Sequence, residues 1–173
     1  MTRYVALLRA VNVSGHNMVS MPALRQLFES LGYDDVSTYI QSGNVIFGAP
    51  AKVDPARLSR ALHEELGVDT PVVVRTATQM RAVAKVKAFP NVDVGKVSVG
   101  FLTAKPTAAK VRALDHDRYL PEEFVVRGTE VFVHLPNGTA RQKVLTYVAK
   151  QLGTEMTVRN WKSVTKLAEL AAG

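Results

Sequence analysis

The chain has 173 residues, 47% of them hydrophobic, and a formal net charge of +7. That apolar content excludes a disordered protein and predicts one domain, or two small ones, with a packed core. The apolar runs are too short to cross a bilayer, and the lack of cysteine excludes disulfides and Cys-ligated zinc. The first apolar run stops at Arg9 with no cleavage site after it, which argues against a signal peptide. We therefore expect a cytoplasmic protein without a membrane partner.

The excess of positive charge favours an anionic partner, either a small molecule or a nucleic acid. Residues 1–89 hold 10 Lys and Arg against 7 Asp and Glu, and residues 90–173 hold 12 against 8. The charge is therefore spread over both halves without a basic tail. Ordinary solubility charge would give the same composition, so the charge alone does not identify the partner.

The first half predicts a strand, a helix, a β-hairpin, a second helix, a strand and a third helix. Valine-rich or alternating runs mark the strands, and apolar residues at helical spacing mark the helices. Ser20 and Asp54 are the expected caps of the first two helices. The predicted strands are residues 4–11, 36–41, 45–47 and 71–75, and the predicted helices are residues 21–31, 55–66 and 78–88.

The second half repeats this order. A shift of 85 residues places residues 41–47 over 126–132 and aligns two turn glycines, and shifts of 84 and 86 align later elements. We interpret the chain as an α+β protein with a duplicated ferredoxin-like β-α-β-β-α-β unit, two antiparallel sheets and an extra helix after each copy. The halves are residues 1–89 and 90–173, and chance similarity of like elements is the alternative. The predicted strands here are residues 97–102, 124–126, 131–134 and 156–158. The predicted helices are residues 108–114, with Thr107 as the expected cap, 142–152 and 163–172.

The connection after the first strand differs most between the copies. It runs over residues 12–20, whereas the second copy has little more than residues 104–106 at the same place. Scaffolds carry binding sites on such loops, and the loop leads into a helix N-terminus, which favours anions. The polar residues expected to contact a ligand there are Arg9, Asn12, His16 and Asn17. The alternative is that Ser20 alone satisfies the helix donors.

A second polar group follows the last predicted strand. Arg159 and Asn160 stand where that strand meets the closing helix, and Lys166 lies on the helix. We expect these three residues to be cationic or amide partners of the same ligand. Trp161 beside them is either functional or an anchor of the helix on the core, and Arg141 and Lys143 are either further cations of the site or solvated.

Topology limits how these groups combine. We expect the loop after strand one and the turn at residues 42–44 to lie at opposite ends of their sheet. Residues 12–17 would then form a pocket only with the other copy, in a cleft between the two halves, where ligand sites commonly occur.

Four blocks carry a resemblance to a known family: residues 8–21, 39–47, 135–138 and 157–166. In this order they resemble the bacterial domain-of-unknown-function 1697 family. The resemblance spans the whole chain and implies a bacterial α+β protein with no assigned activity. The family loop usually reads Gly-Gly-Lys-Asn-Lys, where this chain has Ser14-Gly-His-Asn-Met18. Both lysines are absent, which argues against a phosphate held through lysine.

Most familiar chemical sites have no signature in the chain. The four histidines are scattered among different elements, so we expect no metal. Ser42 lies in a hairpin turn, not on the Gly-x-Ser-x-Gly elbow of a hydrolase, and neither dinucleotide nor P-loop motifs occur. Tyr4 and Phe47 alone do not make the aromatic pattern of RNA-recognition modules. We expect no cofactor.

The resulting hypothesis is a protein that binds an anionic ligand, a nucleotide or a nucleic-acid segment, in a cleft between its halves. One alternative is an enzyme with His16 as general acid or base and Arg9 stabilising negative charge. A second alternative makes the polar blocks structural, with Arg9 buried and hydrogen-bonded.

Overall fold

The computed structural model describes residues 1–138 and 143–173, and these residues form eight strands and six α-helices. The strands are β1 (Thr2–Leu8), β2 (Asp34–Tyr39), β3 (Asn44–Ala49), β4 (Val72–Thr76), β5 (Val97–Leu102), β6 (Glu123–Arg127), β7 (Glu130–His134) and β8 (Met156–Asn160). The helices are α1 (Met21–Ser30), α2 (Pro55–Leu66), α3 (Ala77–Ala84), α4 (Ala108–Arg112), α5 (Lys143–Leu152) and α6 (Trp161–Ala172). A short 3₁₀ turn, Val94–Lys96, precedes β5.

The chain divides into two compact units. The first comprises Met1–Ala84 together with Thr165–Gly173, and the second comprises Lys85–Val164. The predicted division at residues 89 and 90 lies close to this one, although the last residues of α6 are grouped with the first unit. Among the described residues, no helix has both the length and the apolar composition to cross a membrane.

The first unit contains an antiparallel sheet with the strand order β2-β3-β1-β4. β1 pairs with β3 from Thr2↔Ala49 to Leu7↔Asn44 and with β4 from Tyr4↔Thr76 to Leu8↔Val72. The apolar run near the amino terminus is therefore one of the two central strands, next to β3, and is buried from Tyr4 to Leu8. This arrangement is the predicted β-α-β-β-α-β unit.

Apolar stripes on α1 and α2 cover one face of this sheet. Leu24, Phe28, Leu58 and Leu62 are fully buried and share one core cluster with Phe47 of β3. Each helix begins at the predicted cap: Ser20 Oγ accepts the Ala23 N–H, and Asp54 Oδ1 accepts the Ala56 N–H. α2 ends at Gly67, whose φ of 65° is the left-handed conformation that stops a helix.

The second unit repeats the topology with the strand order β6-β7-β5-β8, also antiparallel. Thr107 caps α4 as expected, and Gly153 follows α5 with a φ of 68°, as Gly67 follows α2. Arg75 pairs with Val5 in the first sheet, and Arg159 pairs with Val99 in the second. The predicted α+β fold with a duplicated ferredoxin-like unit is therefore confirmed, including the extra helix after each copy.

The shift of 85 residues over the hairpins is wrong by one residue. Leu7 pairs with Asn44 and Phe101 pairs with Glu130, so the ladders correspond at a shift of 86. A one-residue slip in a strand exchanges its two faces. Phe47 accordingly belongs to the core under α1 and α2, and its counterpart in the second core is Val133 rather than Phe132.

Several predicted boundaries also move. β1 ends at Leu8 and leaves Arg9 outside the strand, whereas β8 continues to Asn160 and α6 begins at once at Trp161. α3 stops at Ala84, so residues 85–88 of the predicted third helix lie instead in the connection that precedes the 3₁₀ turn. Arg141, predicted to be a cation of the site or solvated, and Gln142, the predicted start of a helix, lie outside the described residues.

Candidate functional site

Three connections of the first unit meet at one end of its sheet: residues 9–20 after β1, residues 40–43 between β2 and β3, and residues 67–71 before β4. The Leu8 N–H donates to Gly43 O at 2.9 Å, which joins the first two connections. The expectation that the loop and the turn lie at opposite ends is therefore wrong. β3 runs antiparallel to β1, so the turn that begins β3 lies where β1 ends.

The connection after β1 folds into a small hairpin of its own. The Asn12 N–H donates to Asn17 O at 3.2 Å, and the His16 N–H donates to Val13 O at 2.9 Å. Ser14 and Gly15, at its tip, have φ of 51° and 75°. Two left-handed central residues define a type I′ turn, which explains the small residues there.

Asn12 fastens this small hairpin to its surroundings. Its Nδ2 donates to Gln41 O at 2.9 Å, and its Oδ1 accepts the Val19 N–H at 2.8 Å. Its φ of 56° is one that asparagine tolerates better than most residues. The side chain therefore joins the loop to the β2–β3 turn and closes the loop on the start of α1.

Asn17 and Thr70 fasten the same loop to the connection before β4. Asn17 pairs with the backbone of Asp69 in both directions, with Nδ2 donating to Asp69 O at 2.9 Å and Oδ1 accepting the Asp69 N–H at 3.3 Å. Thr70 Oγ1 accepts the Arg9 N–H at 3.0 Å and donates to Arg9 O at 2.6 Å. Hydrogen bonds thus hold the connection after β1 to both neighbouring connections, the β2–β3 turn and residues 67–71.

Replacing Asn12 with alanine is expected to lower the free energy of unfolding by about 2 kcal/mol, because two hydrogen bonds are lost and a left-handed φ is kept without asparagine. Urea denaturation measures this loss. Ser14→Ala is the matched control, since Ser14 also has a positive φ but its exposed side chain makes no described hydrogen bond. Equal losses in the two variants would contradict the fastening role of Asn12.

Arg9 and His16 differ from the two asparagines. Both side chains are exposed, and within the described residues neither makes a hydrogen bond or an ion pair. The alternative of Arg9 as a buried structural arginine is therefore wrong, because β1 ends one residue before it. For His16 the same fact means that no described group orients its ring, as one usually does for a general acid or base.

A groove of about 440 Å³ lies beside the loop, between its second half, the β2–β3 turn and the start of α1. It is lined by Asn12, Met18, Val19, Ser20, Met21, Pro22 and Gln41. The start of α1 has few free backbone donors for an anion in this groove. Pro22 has no N–H, and the Ala23 N–H already donates to Ser20 Oγ. This supports the alternative that Ser20 caps the helix and satisfies its backbone donors.

Backbone strain and exposed apolar side chains also gather at this end of the sheet. Ala10 and Ile40 have φ of 53° and 49°, conformations that cost free energy in residues other than glycine. Val13, Met18 and Ile40 are 54%, 63% and 52% exposed. Ile40, Asp69 and Thr70 were not predicted to be site residues. The strand order β2-β3-β1-β4 points to them, because it places all three connections at one end of the sheet.

Asn160 and Lys166, two of the three ligand contacts predicted near the carboxyl end, interact with neighbouring residues of the chain. Asn160 Oδ1 accepts the Ser163 N–H at 2.8 Å, which caps the start of α6. Lys166 lies 3.5 Å from Glu169 Oε1 on the same helix, and Trp161 is half-buried. They belong to β8 and α6, not to the loop after β1.

Arg159 is buried in β8, where Nη1 donates to Val158 O at 3.0 Å. Burial lowers its pKa to about 10, so the group remains charged at neutral pH. Arg75 makes the same contact with Val74 O at 3.1 Å in the first unit. Because both copies contain this arrangement, it belongs to the repeated scaffold.

Within residues 1–138 and 143–173, no group of three or more His, Asp or Glu side chains could hold a metal ion. The site consists of a fastened loop whose two basic side chains, Arg9 and His16, are exposed and make no hydrogen bond or ion pair with the described residues. Chemically, such an arrangement can contact an anion.

Two comparisons concern relatives of the chain as a whole. No curated protein matches it. A solved structure of a conserved bacterial protein from Streptococcus pneumoniae is similar, with a TM-score of 0.70 and 23% sequence identity over 98% of each chain. At this level of identity the likeness shows a shared fold.

A family model supplies the remaining comparison. The model of a protein family of unknown function, DUF1697, matches residues 1–132. The matched range contains both blocks that meet at the end of the first sheet, residues 8–21 and 39–47, whereas the blocks at residues 135–138 and 157–166 lie outside it. The chain belongs to the DUF1697 family of proteins of unknown function.

Proposed function

We propose that the end of the first sheet binds an anionic ligand, a nucleotide or a short nucleic-acid segment, through Arg9 and His16. The observation that carries the proposal is that these two exposed side chains make no described hydrogen bond or ion pair, although their loop is fastened on both sides. A fixed loop loses little conformational entropy when a ligand binds, so its polar side chains are preorganised.

Arg9 is the main contact in this proposal. Thr70 holds the backbone of Arg9 through both its N–H and its carbonyl group, so the start of the side chain is fixed while the guanidinium stays in solvent. A guanidinium can donate two parallel hydrogen bonds to a phosphate, which a lysine cannot do. The ring of His16 supplies a further donor, and Asn12 and Asn17 position the loop.

The exposed apolar side chains at the same end of the sheet suit a ligand that has an apolar part as well as a negative charge. Val13 and Met18 belong to the loop, and Ile40 belongs to the turn that Asn12 holds against it. A nucleobase presents a flat apolar face and a phosphate presents negative charge, so a nucleotide combines both requirements. The contributions of Arg159, Asn160 and Lys166 remain predictions from the sequence.

Binding of a fluorescent adenosine triphosphate and of a short labelled oligonucleotide tests the proposal. Arg9→Ala is expected to weaken binding at least tenfold, the usual effect of losing a charge-assisted hydrogen bond. Arg57→Ala removes the same charge from the first turn of α2, which follows the opposite end of the sheet, and should leave the affinity unchanged. An equal loss in both variants, or no binding of either probe, would refute the proposal.

A further inference from the structure

The positive charge is concentrated in the second unit. Lys85–Val164 holds 13 Lys and Arg against 7 Asp and Glu, a net charge of +6, whereas the rest of the chain holds 9 against 8, a net charge of +1. The predicted halves differ less, with net charges of +3 and +4, because Lys85 and Lys87 fall in the first of them. Lys166 and Glu169 also change sides, but their charges cancel. A local excess of this size points to an anionic partner of the second unit.

A groove of about 520 Å³ lies within this unit and has a cationic and aromatic lining. One side is formed by Arg118 and Tyr119, in the segment between α4 and β6, and the other by the exposed face of α5. Lys143, Tyr147 and Lys150 stand on that face at spacings of four and three residues, so they point the same way from the helix. The described lining includes two further uncharged side chains and no acidic one.

The two tyrosines contact each other, Arg118 and the backbone of Asp115. Their rings lie 5.3 Å apart at 57°, and the Tyr147 hydroxyl accepts the Asp115 N–H at 3.0 Å. The Arg118 guanidinium lies 5.8 Å from the Tyr119 ring centre and 5.2 Å from that of Tyr147. The groove is thus lined by two tyrosine rings in mutual contact and by an arginine beside both rings.

The charges around the groove are unbalanced in favour of cations. α5 contains two lysines and no acidic residue, and the two lysines are separated by two helical turns, about 10 Å. Asp115 is the acidic neighbour that acts on Arg118, and its Oδ1 already accepts the Asp117 N–H at 3.0 Å. The described lining therefore contributes three cations, Arg118, Lys143 and Lys150, and Asp115 lies next to Arg118 outside that lining.

We infer that this groove binds a segment of single-stranded nucleic acid, with bases stacking on Tyr119 and Tyr147 and phosphates contacting Lys143 and Lys150. Fixed aromatic rings beside a row of cations are the arrangement with which proteins bind single strands without sequence preference. An acidic peptide would use the cations but would leave the paired rings without a flat partner. The inference does not rest on the loop after β1, which belongs to the first unit.

Fluorescence anisotropy with a labelled ten-nucleotide oligothymidylate tests this inference on the full chain. Lys143→Gln/Lys150→Gln is expected to weaken binding about tenfold at 0.15 M salt and to reduce the slope of log affinity against log salt by about 1.4, the value for two phosphate contacts. Lys87→Gln/Lys105→Gln removes equal charge from exposed positions outside the groove lining and should change neither quantity. Equal behaviour of the two double variants would overturn the inference.

Stacking is tested separately. Tyr119→Leu should weaken oligothymidylate binding at least fivefold, and an abasic strand with the same number of phosphates should bind the unchanged protein more weakly by a similar factor. If the abasic strand binds equally, or if polyglutamate displaces the oligonucleotide at the same charge concentration, the groove serves an acidic partner and the inference is refuted. Arg9→Ala leaves this groove intact, so the two sites can fail independently.

Discussion

Replacing Gly43 with alanine is expected to lower the free energy of unfolding by about 3 kcal/mol. Gly43 is buried in the β2–β3 turn with a φ of 82°, a conformation that alanine adopts only at a cost. An added Cβ would also lie 2.8 Å from Leu8 Cβ and 2.7 Å from Val11 Cγ2. Because the first of these atoms is attached directly to the backbone of β1, the turn and the strand end would have to separate.

Gly128→Ala is the matched control for this change. Gly128 is the hairpin-turn glycine of the second sheet, with a φ of 61°, but an added Cβ would meet nothing within 4 Å. Its replacement should cost only the conformational part, about 1 kcal/mol. Denaturant titration of both variants measures the difference, and equal costs would show that the turn does not press against β1.

Phe47→Ala is expected to cost about 4 kcal/mol, the usual loss for a fully buried aromatic side chain. Phe47 lies at the centre of an aromatic group, with its ring centre 5.7 Å from that of Tyr4, 5.1 Å from Phe28 and 4.7 Å from Tyr33. Removing it therefore leaves a cavity and also ends three ring contacts, each of which adds to the burial term.

Phe47→Leu separates these two contributions, because leucine fills most of the cavity without aromatic contacts. Its expected cost is about 1 kcal/mol, measured by the same denaturant titration. A loss below 2 kcal/mol for Phe47→Ala would mean that the core under α1 and α2 collapses to fill the space, contrary to the packing described for β3.

Much of the fold follows from local patterns in the sequence. Ser20, Asp54 and Thr107 start helices through hydrogen bonds to backbone N–H groups close in the chain, so these helix starts are readable directly. The duplicated order is readable for the same reason, since Gly67 and Gly153 end equivalent helices. The register of the hairpins cannot be read in this way. The first hairpin turn is longer than the second, which shifts the strand pairing by one residue without changing the order of the elements.

The candidate site depended on contacts that are distant in the chain. Arg9 and Thr70 are 61 residues apart, and Asn17 and Asp69 are 52 apart, so no local pattern reveals that they bond. The strand order would have revealed it, since an antiparallel β1–β3 pair places loop and turn together. The polar character of the loop is evident in the sequence, but the side chains of Asn12 and Asn17 hydrogen-bond the loop to its neighbours.

The second groove was not foreseen because its parts look ordinary in the sequence. Tyr119 and Tyr147 are 28 positions apart, and Lys143 reads equally well as a solvated cation. Their common placement requires that α5 packs beside the segment before β6, which the ring contact between the two tyrosines shows. The charge imbalance likewise depends on the boundaries of the two units, which place Lys85 and Lys87 in the second unit.

Backbone amide chemical shifts, followed by NMR while adenosine triphosphate is added, test the proposed ligand surface of the first unit most directly. If Arg9 and His16 bind the ligand, the largest shifts fall on residues 9–20, 40–43 and 67–71, and Arg9→Ala abolishes them while Arg57→Ala does not. If these amides do not move, or if the shifts persist in Arg9→Ala, the loop after β1 is not the binding site.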